Sequence, residues 1–161
     1  VGVDPQTFRD VLSLFATGVT IVTTRAGAEV HGMTVNAFCA VSLTPPLVLV
    51  CLDQRSRTHR LVEAAGLYAV NILRADQVAL AQRFAQPSRP DEPPFRGLPY
   101  RPGRLGLPLL AEGLAFLECR VVARYPGGDH TIFLGEVAAA SPADQSPPLL
   151  YYRRQYCQLE C

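Results

Sequence analysis

Residues 31–38 read HGMTVNAF, and the run continues as CAVSL to Leu43. With the alternation of a strand, one face carries Met33, Val35, Ala37, Cys39, Val41 and Leu43. The other carries Thr34, Asn36, Phe38, Ala40 and Ser42. The first face reads as the core side of one long strand. The second offers a hydroxyl, an amide and a ring but no charge, which fits neither a core nor an ordinary wet surface. Thr34 and Asn36 supply neutral donors and acceptors that match a flat heterocycle, and Gly32 lets the backbone come close to it. A strand whose polar face packs on a loop or on a partner subunit has the same pattern.

The flanking stretches are also strands. GVTIVTT (18–24) is β-branched, and AGAE (26–29) reads as a hairpin turn into the opening run. Thr44-Pro45-Pro46 stops that run, since proline donates nothing to a ladder. LVLVCL (47–52) is continuously apolar and reads as a strand buried on both faces. LYAVNIL (67–73), LAFLECRVVARY (114–125) and HTIFLGEVAAA (130–140) follow, the last after a PGGD turn. LLYYRRQY (149–156) closes the chain.

Helices are few. Asp4-Pro5 is a start signal, Phe8, Val11, Leu12 and Phe15 follow the spacing of a helix face, and Gly18 reads as the stop. DQRSRTH (53–59) opens a short helix closed by Gly66, and ADQVALAQRFA (75–85) reads as another, with Val78, Leu80, Ala81 and Phe84 on its apolar side. Residues 86–108 hold seven of the fourteen prolines without periodicity, as a long surface loop or lid. Many strands without regular β–α alternation predict a mainly β single domain over 1–161. The expected form is a closed antiparallel barrel with peripheral helices.

Bulk composition narrows the function classes. The chain has 161 residues, 48% apolar and 18% charged, with a net charge of +1. That balance suits an ordinary globular domain and offers no basic surface for nucleic acid or anionic membrane. No apolar run is long enough to span a bilayer, and no signal peptide is visible. Of the five cysteines, Cys39, Cys51 and Cys119 sit in apolar runs and read as reduced core residues. Cys157 and Cys161, with no histidine nearby, make a poor metal site. The odd count points to a reducing cytoplasm.

Two further stretches carry chemistry. In DQRSRTH, Ser56 and Thr58 place hydroxyls where a helix begins, beside Arg55 and Arg57, as a phosphate site does and as a capped surface helix also does. In GGDHTIFLGEV (127–137), His130 follows a glycine turn next to Asp129, as a turn histidine or as a group at the mouth of a site. The three histidines are scattered, and no nucleophile elbow, P-loop or G-x-G-x-x-G occurs. That absence suits hydride transfer between a nicotinamide and a flavin, where cofactors supply the chemistry and the protein aligns them.

TGVTIVTT, HGMTVNAF, SLTPPLVLVCLD, S-x-T-H, YAVNIL, RFA and GDHTIFLGEV, in this order, resemble the flavin reductase family over about residues 8–156. The resemblance implies a homodimer built on a six-stranded antiparallel split β-barrel. It also implies NAD(P)H-dependent reduction of FMN or FAD, with reduced flavin supplied to a separate oxygenase. By motif, Met33, Thr34, Val35 and Asn36, with Ala37, lie along the isoalloxazine. Leu52, Asp53, Ser56 and Thr58 hold the ribityl and phosphate part, and Phe84 and Ala85 flank the flavin tail. His130 faces the nicotinamide, as does Tyr152. Where family members often carry Thr or Ser after NAF, this chain has Cys39-Ala40, so one flavin contact is absent or made by backbone. Other readings on the same fold are a flavoprotein reducing a corrinoid or ferric iron, and a flavin- or haem-binding protein without activity.

Overall fold

Asp4 caps the first helix, α1 (Pro5–Ser13), by accepting from the N–H groups of Gln6 and Thr7 at 3.0 Å. The structure is a computed structural model that describes residues 2–87, 89, 93–142 and 145–159. Helix α1 ends at Ser13 with Leu14 as its cap, well before the expected stop at Gly18. None of its residues is buried, so its apolar side lies open.

Strand β1 (Thr17–Gly18) leads into β2 (Thr20–Ala26), β3 (Glu29–Val35), β4 (Phe38–Leu43) and β5 (Pro46–Asp53). Helix α2 (Arg57–Ala65), strand β6 (Leu67–Ile72) and helix α3 (Val78–Ala85) come next. The chain continues through β7 (Tyr100–Pro102), β8 (Pro108–Leu110), β9 (Ala115–Gly127) and β10 (His130–Pro142), and ends in β11 (Leu149–Tyr152) and β12 (Gln155–Gln158). The main sheet is antiparallel, in the order β3-β2-β6-β9-β10-β5-β4.

The fold is mainly β with few helices, and the main sheet has seven strands; the opening run is two strands and not one. Its halves pair with different neighbours: Thr34 stands opposite Ile21, and Cys39 opposite Leu49. Asn36 and Ala37 join β3 and β4 at the two edges of the strand order. The expected core face holds only before this break. Val35 is buried, whereas Val41 and Leu43 are 48% and 93% exposed and Cys39 is exposed as well. A register shift between Ala40 and Ser42 ends the simple alternation. Cys39 is thus not the core residue its apolar surroundings implied.

Strand β5 also departs from expectation. Val48, Val50 and Leu52 are buried while Leu47, Leu49 and Cys51 are half-buried, because an antiparallel sheet packs one face more deeply than the other. The core inside the sheet joins Val22, Val50, Leu52, Tyr68, Val70 and Phe133.

Helices α2 and α3 stand on this frame. Ser56 caps α2 by accepting from His59 N–H at 3.1 Å, and Gly66 closes it with φ 64°. Helix α3 starts at Val78, later than expected, and buries Ala81 and Phe84.

The proline-rich stretch is more ordered than a loop or lid. Its β7–β8 hairpin brings Leu107 and Leu109 into a small core with Ala69 and Phe116. The buried Glu118 carboxylate accepts from the N–H groups of Arg104 and Leu105 at 2.7 and 2.9 Å. Residues 88 and 90–92 of that stretch lie outside the described residues. The closing segment is a hairpin whose turn residues Arg153 and Arg154 both have positive φ, 49° and 62°. Such a turn matches the twist of the strands it joins. No helix among the described residues is long and apolar enough to cross a membrane.

Candidate functional site

The sheet, α2, α3 and the C-terminal hairpin enclose a cavity of about 730 Å³. Strand β3 supplies His31, Gly32, Met33 and Thr34, and Asn36 lies just past its end. The start of α2 supplies Ser56, Arg57, Thr58 and Arg60, with Arg55 before it. Phe84 and Ala85 close one side, and Tyr151 and Tyr156 another.

Each wall has a local cause. Gly32 is glycine because a Cβ there would come within 3.1 Å of the Phe84 ring, of Thr23 and of the Val22 carbonyl. The Thr34 hydroxyl donates to the Ala81 carbonyl at 2.6 Å, which ties α3 to β3. Its proton is therefore committed to the scaffold, and its oxygen remains an acceptor. Tyr151 and Tyr156 pair across the β11–β12 hairpin with ring centroids 5.4 Å apart.

The electrostatics are one-sided. Arg55, Arg57 and Arg60 line the cavity, and Arg57 is paired with Glu29 at 2.6 Å. Asp53 binds Arg55 through both carboxylate oxygens, and the hydrogen bonds from Arg55 hold its carboxyl well below the usual range. Backbone N–H groups at the start of α2 add to the positive potential. Among the described residues, His31 Nε2 in the cavity wall is buried without a partner.

A second, more apolar groove of about 660 Å³ meets this cavity at Asn36, which lines both. Leu12 and Phe15 of the α1 region face it, with Ala37, Phe38 and Cys39, and Leu49 and Cys51 of β5. The arginine-lined cavity and the apolar groove together form a site with a cationic end and a greasy end. The first suits a phosphate and the second a fused ring.

The sequence-derived residues divide accordingly. Met33, Thr34, Asn36, Ser56, Thr58, Phe84 and Ala85 come together around the cavity, and Ala37 lies in the groove. Val35 and Leu52 are core residues and line neither the cavity nor the groove. Asp53 acts on the cavity through Arg55. His130 stands opposite Asp53 in the β5–β10 register, outside the cavity lining, with Nδ1 2.7 Å from the Asp129 carboxylate. That hydrogen bond draws the Asp129 carboxyl below its ordinary range. Tyr152 is also outside the lining, and its neighbour Tyr151 is the hairpin tyrosine that reaches it. Sequence reasoning missed His31, Arg60, Tyr151 and Tyr156. His31 opens the very motif that was read, and the tyrosines lie on the two strands of a hairpin that no glycine marks.

Comparison with known proteins identifies the family. Residues 12–160 match the flavin reductase like domain. The reductase subunit HsaB of a flavin-dependent monooxygenase from Mycobacterium tuberculosis is 40% identical over 160 residues, covering 98% of this chain and 84% of that protein. The reductase component of 4-hydroxyphenylacetate 3-monooxygenase from Thermus thermophilus is 40% identical over 154 residues, covering 96% of each. Among solved structures, the NADH:FAD oxidoreductase SgcE6 of Streptomyces globisporus, in complex with NAD and FAD fragments, superposes with a TM-score of 0.90 at 38% identity, covering 99% of this chain and 97% of that one. With a family match over nearly its whole length and relatives at this identity, the chain belongs to the flavin reductase family.

Proposed function

We propose that this chain is an NAD(P)H-dependent flavin reductase that reduces FMN or FAD and supplies the reduced flavin to a separate oxygenase component. The observation that carries this reading is the junction at Asn36 of a cationic cavity with an apolar groove. A flavin has the same polarity along its length. Bound together, the nicotinamide and the flavin would supply the hydride-transfer chemistry.

The chain's own residues bind and align. Arg55, Arg57, Ser56 and the start of α2 hold the phosphate end. Asn36 meets the polar edge of the ring, with Met33, Thr34 and Ala37 beside it and the backbone of Val35 and Leu52 behind. Phe84 and Ala85 flank the tail. His130, steadied by Asp129 and opposite Asp53, orients the dinucleotide, with Tyr152 as a second group toward it. Excluding water and fixing the reactants' geometry supply the rate, and no acid–base pair is required.

The same reading includes the assembly. The β3–β4 run serves both edges of the strand order, which supports a six-stranded split barrel in which it counts as one bent strand. The open apolar side of α1 and the exposed Val41 and Leu43 of β4 support a homodimer. Cys39, Cys51, Cys119 and Cys157 are free thiols, as suits a reducing cytoplasm.

The test is NADH and NADPH consumption by purified protein with and without added FMN or FAD. Turnover that rises and saturates with flavin is expected. No turnover with either flavin and either nucleotide would overturn the reading.

A further inference from the structure

Thr58 borders the cavity yet has no exposed surface. What it does touch is His31. The Thr58 Oγ1 lies 2.8 Å from His31 Nδ1. His31 lines the same cavity, is only 6% exposed, and its Nε2 is buried without a partner. An unpaired buried imidazole nitrogen is costly, and one at the edge of a binding cavity is a group awaiting its ligand.

The neighbours say which ligand. Arg57 and Arg60 flank the imidazole on α2, whose N-terminal turn opens on the cavity beside Ser56, and Glu29 on β3 is held by Arg57. An anion fits this corner, and a second cation does not. Burial, reinforced by Arg57, pushes the His31 pKa down to about 4, so the ring is neutral near pH 7 and carries a single N–H.

We propose that His31 is a phosphate-recognising residue: Thr58 donates to Nδ1, which fixes the proton on Nε2, and the Nε2–H donates to a phosphoryl oxygen of the flavin. Thr58 is then a positioning residue that acts through His31. The pair distinguishes phosphorylated flavins from riboflavin. This inference rests on the flavin reading above and adds to it a residue and a basis for choosing the substrate.

The experiment titrates wild type, His31→Asn and His31→Gln with FMN and with riboflavin, following flavin fluorescence. Asn keeps a partner for Thr58 but ends short of Nε2, whereas Gln can place an N–H near the Nε2 position. His31→Asn is expected to weaken FMN roughly tenfold or more, as for a lost hydrogen bond to a charged group. Its riboflavin affinity should match wild type, and His31→Gln should recover much of the FMN loss. Equal weakening of both flavins, or an unchanged FMN affinity, would overturn the proposal. In wild-type protein with ¹⁵N-labelled histidine, the Nε2 resonance should move with FMN and not with riboflavin, a readout independent of how the variants fold. Wild type that turns over NADH but binds both flavins alike would overturn the phosphate contact alone. Failure to bind either would overturn the flavin reading itself.

Discussion

The Tyr68 hydroxyl occupies the space beside Gly135 where a side chain would begin: a Cβ at 135 would lie 2.3 Å from the Tyr68 oxygen. Tyr68 is fully buried, and its hydroxyl donates to the Val48 carbonyl at 3.3 Å. Gly135, the second glycine of GDHTIFLGEV, therefore serves packing between β6 and β10. Gly135→Ala should destabilise the fold by roughly 1–3 kcal/mol through overpacking. Tyr68→Phe in the same chain should return part of that loss. Urea unfolding of the single and double variants checks both. Recovery in the double variant separates the clash from a general effect of alanine in a strand.

Asn36 stands where the two halves of the site meet. Asn36→Ala should weaken flavin binding by about 1–3 kcal/mol, the cost of leaving a buried polar partner unmatched. Flavin titration measures it. An unchanged affinity would remove Asn36 from the ring's contacts.

His130 is outside the cavity and held by Asp129. His130→Ala should raise the Michaelis constant for NADH while leaving flavin affinity nearly intact. Steady-state kinetics at saturating flavin, with a parallel flavin titration, separates the two effects. Loss of flavin binding would contradict a role toward the dinucleotide.

His31 makes the fold sensitive to acid. Its pKa drops from the ordinary 6.5 to about 4 on folding, so between these values the unfolded chain binds more protons than the native one. Stability is therefore unaffected by this group above about pH 6.5 and declines as pH falls toward about 4, by at most roughly 1.4 kcal/mol per pH unit. Below that the native ring also protonates and the decline levels off. Urea unfolding across this range should show a shallower slope for His31→Gln than for wild type.

Phe15 and Leu43 are 74% and 93% exposed. Wild type should sediment as a dimer, and the double variant Phe15→Glu, Leu43→Glu as a folded monomer, because a charge on each partner's apolar face opposes its burial. Sedimentation velocity with a circular dichroism control decides it.

The strands, the α2 caps and most of the cavity were legible because they depend on local pattern. Ser56 and Gly66 announce a helix start and stop, and β-branched runs announce strands. The break at Asn36–Ala37 was not legible. Alternation continues across it in the sequence, and only the change of pairing partner from β2 to β5 divides the run. The core assignment of Cys39, Val41 and Leu43 failed for the same reason, since apolar residues at an edge read like core. Arg153 and Arg154 hid a hairpin, because both adopt a backbone conformation that sequence usually marks with glycine or asparagine. The hydrogen bond between the Thr58 hydroxyl and His31 was not legible either, since it joins residues 27 positions apart in the chain.

Helix α1 has a consequence for motion. It contributes no buried residue, and its described polar ties to the C-terminal hairpin are the Arg153 N–H to the Ser13 carbonyl at 2.8 Å and the Arg154–Asp10 ion pair. Within a single chain such an element opens on its own, far below the free energy of global unfolding. Its amides should exchange with solvent much faster than those of Val22, Val50 or Tyr68 in the core. Protection of α1 that grows with protein concentration would then report association directly. The helix would serve as a built-in gauge of how much of the enzyme is assembled.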